Sequence, residues 1–372
     1  MRPRPLHLRL IAAGLCAAAC LPACGRPPTA QPVVAMGVDR PAAYPGAAGP
    51  FAVGADSVTV LPRGVTAFPA ITALIAGATR SVDVEMYELQ RTDLVDALVA
   101  ARRRGVAVTV VTDPSVDVSV VAAGVLRAAA VDVLFYPVRK QMIDHVKLLV
   151  VDGGAAAVVG GINWGAASAP NHDIDLLVRG PAAANLERVL VRDLVTCGRL
   201  LAVPPETPDT SVAVEATLPT AAIRPLILAA VDGARTSIDL ELYVVTDLGI
   251  VHAVERAHAR GVRVRVLLDP TERPSDAPAA ELRSRGVPVR LYHGTGELLH
   301  AKTMVVDART VVVGSANWSA GGFARNHELD AVLDDAPQVA AVLTQAEDSD
   351  WSVSGSAPGP VPGGAGADAA GV

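Results

Sequence analysis

Cysteine is scarce in this chain, and the little there is cannot cross-link a fold. Of four cysteines in 372 residues, Cys16, Cys20 and Cys24 crowd the N-terminus and Cys197 stands alone. A disulfide framework is thereby excluded, and Cys197 reads as a small buried apolar residue rather than a nucleophile. Aromatic residues are also few, at 3%, although 51% of the chain is hydrophobic. The apolar content is largely Ala and Val, enough for a sizeable core and for two domains of ordinary size. A basic excess is missing as well, since the net charge is −6. An acidic chain repels phosphate backbones, which weighs against nonspecific nucleic-acid binding.

The N-terminus reads MRPRPLHLRLIAAGLCAAACLPACG: arginines, then an apolar run, then small residues. This is the order of a secretory signal peptide, and the run is too short to span a bilayer. LPAC resembles the bacterial lipobox. That resemblance implies cleavage after residue 23 and lipidation of Cys24, anchoring an exported protein to a membrane surface. Loss of Arg2, Arg4 and Arg9 with the leader takes the net charge from −6 to −9.

Residues 25–54 are rich in Pro, Ala and Gly and predict a disordered tether; residues 352–372 predict a disordered tail. Between them the chain repeats itself, with a Pro-rich connection near 203–210. ALIAGATRSVDVEMYELQ aligns with LAAVDGARTSIDLELYVV, and LVDALVAARRRGVAVTVVTDP with IVHAVERAHARGVRVRVLLDP. Glu85 falls on Glu241, Asp113 on Asp269, His145 on His300 and Asn163 on Asn317, at offsets of 154 to 156. A near-constant offset means two copies of one domain, placed here at 55–202 and 211–351 and expected to pack about a pseudo-twofold axis.

Each copy alternates helix and strand periodicity. AITALIAGA reads as helix and SVDVEMYEL as strand. TDLVDALVAARRRG reads as a helix with Thr92 as N-cap and Gly105 closing it. VAVTVVTD, VKLLVVD, AAAVVGG and NHDIDLLVRG read as further strands, followed by a helix from Pro181. The pattern predicts an α/β sandwich in each half, a mixed sheet flanked by helices.

Two segments carry chemistry. DHVKLLVVDGGAAAVVGGINWG holds His145, Lys147, Asp152 and Asn163; LLHAKTMVVDARTVVVGSANWS holds His300, Lys302, Asp307 and Asn317. Residues two apart on a strand share a face, so each His is expected beside its Lys on an otherwise apolar element. Burying such a pair without use is costly, and here it happens twice.

Tandem HxKxxxxD followed by GSxN resembles the phospholipase D superfamily, over roughly residues 56–350. The second motif fits throughout. In the first, seven residues instead of six separate Asp152 from the Gly pair, and Gly161 stands where the second has serine. The extra residue is expected to lengthen the turn at Gly153–Gly154.

The resemblance implies two phospholipase D-like domains that break a phospholipid phosphodiester through a phosphohistidine. His145 would be the nucleophile and His300 the general acid and base. Lys147, Lys302, Asn163 and Asn317 would hold the phosphate. Asp173 and Glu328, in NHDIDLL and NHELDAV, would orient the histidines. Asp152 and Asp307 are counted with the catalytic motif, in a supporting role. Glu85 and Glu241 can point into the cleft, and His172 and His327 read as packing at strand ends. No cofactor is expected, and two lysines in the pocket argue against a metal there. A phospholipid at a membrane surface is the expected partner, and one chain carries both motifs of one site. The alternative implied by the same family is an endonuclease, for which RRRG, RVRV and VRK are scattered basic stretches, most of them at helix ends.

Overall fold

A computed structural model describes residues 46–139, 141–208, 211–294 and 296–355. The N-terminal leader, Cys24, most of the expected tether and the end of the tail lie outside the described residues. Both repeats fall in one compact unit.

The first half runs β1 (Ala48–Val53), β2 (Asp56–Pro62), α1 (Gly64–Gly77), β3 (Ser81–Met86), α2 (Thr92–Arg103), β4 (Ala107–Thr112), α3 (Asp117–Ala128), β5 (Asp132–Phe135), β6 (Lys147–Val151), β7 (Ala156–Gly160), β8 (Ile174–Arg179) and α4 (Pro181–Thr196). The second runs β9 (Val212–Ala216), α5 (Ile223–Gly233), β10 (Ser237–Leu242), α6 (Leu248–Ala259), β11 (Arg263–Leu268), α7 (Asp276–Ser284), β12 (Val289–Leu291), β13 (Lys302–Val306), β14 (Thr310–Gly314), α8 (Ala320–Ala324), β15 (Leu329–Leu333) and α9 (Pro337–Val353).

The two sheets have the same order. One reads β5-β4-β3-β6-β7-β8-β2-β1 and the other β12-β11-β10-β13-β14-β15-β9. In each, the three strands at one end run parallel and the rest antiparallel. The mixed sheets are those the sequence predicts. β1 is an addition to the first sheet, and it falls inside the stretch expected as a tether. A hairpin to β2 satisfies its backbone groups, which a composition reading does not detect. At the other end α9 continues to Val353, two residues past the expected boundary.

Pleating sends alternate residues into different cores. On β6, Leu149 and Val151 join the core beneath α1, α2 and α3, whereas Leu148 and Val150 join a core shared with the second half. That shared core collects Val159, Leu176, Leu186 and Leu190 from the first half and Val313, Leu329, Leu333, Val339 and Leu343 from the second. The outer face of the second sheet is covered in the same way by α5, α6 and α7. The halves therefore meet through the antiparallel ends of their sheets, with α4 and α9 between.

Local chemistry explains the element ends. Gly105 takes φ 90° after α2, as expected of a closing glycine. The expected N-cap Thr92 is instead the first helical residue; Arg91 precedes it without a side-chain cap, and Asp93 accepts from the Leu94 N–H.

Candidate active site

Two backbone bridges sew the halves together where the motifs begin. The His145 N–H donates to the His327 carbonyl and the His327 N–H to the Ile143 carbonyl, both at 2.8 Å. The related pair joins the His172 N–H to the Leu298 carbonyl and the His300 N–H to the His172 carbonyl, again at 2.8 Å. Each bridge is tied further. Asp113 at the end of β4 accepts from the Asp144 N–H (2.6 Å), and Asp269 at the end of β11 accepts from the Leu299 N–H (2.8 Å). The strands β6 and β13 begin only at the lysines, so each His lies just before its strand, held by the opposite half.

The bridges bring each histidine to a carboxylate of the other repeat. The His145 Nδ1–H donates to Glu328 Oε2 at 2.8 Å, and the His300 Nδ1–H faces both Asp173 oxygens at 3.0 Å. All four residues are buried. A carboxylate on Nδ1 leaves Nε2 as the reactive nitrogen.

The carboxylates are supported unequally. Glu328 also accepts from Ser315 Oγ (2.6 Å) and Asn326 Nδ2 (3.2 Å). In the first half Gly161 stands at the place of Ser315. A Cβ there would lie 2.5 Å from Asp173 Oδ1, so the glycine makes room for the shorter carboxylate to pass. Gly161 with Asp173 in the first half thus stands against Ser315 with Glu328 in the second as a matched pair.

Both lysines are buried. Lys147 Nζ donates to the His145 carbonyl at 2.9 Å; Lys302 Nζ donates to the His300 carbonyl at 2.6 Å and lies 2.9 Å from His300 Nε2. Asn163 and Asn317 are buried on the turns after β7 and β14, and among the described residues the Asn317 amide has no hydrogen-bond partner. Two residues that sequence reasoning passed over belong here. Tyr87 packs its ring 4.8 Å from His145, and Tyr243 sits 4.8 Å from His300. Their signal was the repeated Glu-x-Tyr in the aligned strands β3 and β10. Two more are Asp175 and Asp330, two positions beyond Asp173 and Glu328. Burial pushes both carboxyls up, Asp330 to about 7, while Lys147 and His300 pull Asp175 back and Lys302 pulls Asp330 back.

Asp152 and Asp307 are not in the pocket. They close the hairpins at the far ends of β6 and β13, some 16 Å from the lysines by strand rise. Asp152 accepts from the Thr79, Arg80 and Ser81 N–H groups, and Asp307 from those of Arg235, Thr236 and Ser237. Both have φ 52°. Counting them with the catalytic residues is corrected: their carboxylates brace the starts of β3 and β10. The longer turn expected in the first motif is present, with Gly153 and Gly154 at φ 65° and 80°.

Glu85 and Glu241 do not reach the histidines of the motifs. Glu85 lies by His327 and Asp193, and Glu241 by His172 and Asp350, in two buried clusters behind the bridges. His172 and His327 are therefore ionic residues of the interface between halves, more than the packing residues expected.

The fold and its paired motifs define a class of enzyme-like scaffold in which each motif histidine is held by a carboxylate of the other repeat. The family description "Cardiolipin synthase, PLD-like domain" matches residues 71–193 and 227–351. The chain belongs to the phospholipase D superfamily, as a tandem phospholipase D-like protein. It is 30% identical over 321 residues to a cardiolipin synthase of Geobacillus kaustophilus, which covers 75% of this chain and 63% of that protein. A mitochondrial cardiolipin hydrolase of Homo sapiens is 33% identical over 122 residues, 32% of this chain and 48% of that one. The solved phosphatidylserine synthase of Haemophilus influenzae shares the fold, with a TM-score of 0.61 at 13% identity over 78% of this chain and 85% of that one.

Proposed function

We propose that this chain breaks phospholipid head-group phosphodiesters in two steps through a phosphohistidine. The observation that carries the reading is the reciprocal exchange of carboxylates, Glu328 onto His145 and Asp173 onto His300. In the first step His145 Nε2 attacks phosphorus. The bond to the leaving alcohol breaks, and His300 gives that oxygen a proton. In the second, His300 takes a proton from water or an alcohol, whose oxygen attacks phosphorus and breaks the P–N bond. Lys147 and Lys302 neutralise the nonbridging oxygens, with Asn163 and Asn317 donating amide hydrogens. The open amide of Asn317 supports that role.

The phospholipid substrate rests on the family match and the names of the relatives. The chain spans less than two thirds of the Geobacillus protein, so the substrate is carried over as part of the proposal. Export and a lipid anchor at Cys24 would hold the pocket at a membrane; among the described residues no helix is long and apolar enough to cross one. With both motifs in one chain, a monomer suffices for one site.

The test is to offer the chain lacking residues 1–24 phosphatidylcholine, phosphatidylglycerol, cardiolipin and plasmid DNA in parallel. Release of head group or of phosphatidic acid, or transfer to added glycerol, is expected. Nicked plasmid with intact lipid would replace this reading with the nuclease one.

A further inference from the structure

The two buried clusters behind the bridges are copies of one another, and the copies are not balanced alike. Glu241, Asp350 and His172 form one; Glu85, Asp193 and His327 form the other. In the first, the His172 Nε2–H donates to Glu241 Oε2 at 2.9 Å and Nδ1 lies 3.4 Å from Asp350. A guanidinium completes it: Arg63 reaches Asp350 at 3.9 Å and is bound by Glu297 at 2.6 Å. Leu299 precedes the motif histidine on that side.

In the second cluster an uncharged residue stands at the place of Arg63 and a further acid is added. The Arg63 N–H donates to the Asp173 carbonyl, and the Thr217 N–H donates to the Glu328 carbonyl in the same register. Thr217 therefore occupies the place of Arg63. Asp144 occupies the place of Leu299 and is fully buried beside Glu85. Among the described residues, Asp193 Oδ2 and both ring nitrogens of His327 go without a well-aligned hydrogen bond. The His327 Nε2 contact to Asp193 Oδ2, at 3.0 Å, is close but off the hydrogen-bonding direction. Arg192 reaches Asp193 Oδ1 at 3.3 Å and is itself a quarter exposed. Three enclosed carboxylates thus face one imidazole and one peripheral guanidinium. Buried charge of this kind is costly unless it is paired or coordinates a metal.

We propose that Glu85, Asp193 and His327, with Asp144 beside them, bind a divalent metal ion of the zinc class that staples the two halves. The three ligand atoms lie within 4.8 Å of one another, a spacing that one small ion can bridge. An imidazole with carboxylates suits zinc. The site lies outside the phosphate pocket and takes no part in the steps above. Its effect is positional, because the His327 carbonyl holds the His145 backbone and the next residue, Glu328, holds the His145 ring.

The chain is expressed with zinc, passed through gel filtration and assayed for bound metal, and its thermal unfolding is followed with zinc or with EDTA. About one zinc per chain is expected, with a midpoint that EDTA lowers by about 5 °C or more. Asp144→Leu installs the residue the other copy carries, and Glu85→Gln keeps the shape; both are expected to fold and to lose most of the metal. Asp144→Leu should unfold below the wild type in zinc but not in EDTA. A chain that carries no metal and whose midpoint ignores both additions overturns the proposal, because protons then balance the cluster. Retention of the zinc by both variants overturns it equally, since the ion would then sit elsewhere.

Discussion

Glu328 Oε2 lies 2.8 Å from His145 Nδ1 across 183 positions of sequence. The carboxylate beside the first motif's histidine thus comes from the second repeat, and Asp173 returns the exchange to His300. Neither half contains both members of either pair.

This relationship predicts that Glu328→Gln and Asp173→Asn act on turnover more than on folding. A neutral amide no longer fixes the Nδ1–H tautomer or stabilises an imidazolium, which costs up to about 10⁴-fold in kcat in a comparable triad. A drop of at least about 100-fold, with the circular-dichroism spectrum retained, is expected for each. His145→Asn and His300→Asn should be at least as damaging. Near-normal turnover in any of the four would remove that residue from the mechanism.

The pair at 161 and 173 predicts a rescue. Gly161→Ser alone places a Cβ on Asp173 Oδ1 and should lower activity by pushing the carboxylate off His300. Gly161→Ser with Asp173→Glu rebuilds the arrangement of Ser315 and Glu328 and should recover part of the loss. A double variant no better than the single one would show that the two positions are not coupled.

Asp307 predicts an effect on stability and not on chemistry. Its slight burial raises the carboxyl, but N–H groups of Ser237, Thr236 and Arg235 and the Thr236 hydroxyl outweigh it and pull it down to about 2. A carboxyl depressed in the fold stabilises above its ordinary value of about 3.9, and that contribution is lost as pH falls through about 2. Asp307→Asn should lower the unfolding midpoint at pH 7 while leaving kcat within about twofold, and should flatten the acid transition. A large loss of kcat with an unchanged midpoint would return Asp307 to the reaction.

Arg63 predicts the cost of unbalancing a buried cluster. Arg63→Met removes the guanidinium beside Asp350 and Glu297, a change expected to cost about 3 kcal/mol in denaturant unfolding because buried acids are left uncompensated. A loss under about 0.5 kcal/mol would mean that protonation compensates instead.

Much of this was legible in the chain. The repeat, the mixed sheets and the two motifs follow from local pattern, because periodicity and spacing record which face of an element is buried; Asp173 and Glu328 entered only through the family resemblance. The resemblance counted Asp152 and Asp307 with the catalytic motif in a supporting role, whereas their carboxylates brace the starts of β3 and β10. A strand carries its last residue far from its first, so sequence nearness became spatial distance. Hairpin pairing likewise drew β1 out of a stretch whose composition reads as tether.

Which acid serves which histidine was decided by the tertiary structure alone. That choice depends on two backbone bridges between segments more than 120 residues apart, from His145 to His327 and from His300 to His172. The same bridges gather Glu85, Asp144, Asp193 and His327 from four separate segments into one buried cluster. Periodicity reports only how a residue lies on its own element; these contacts form when two folded halves dock.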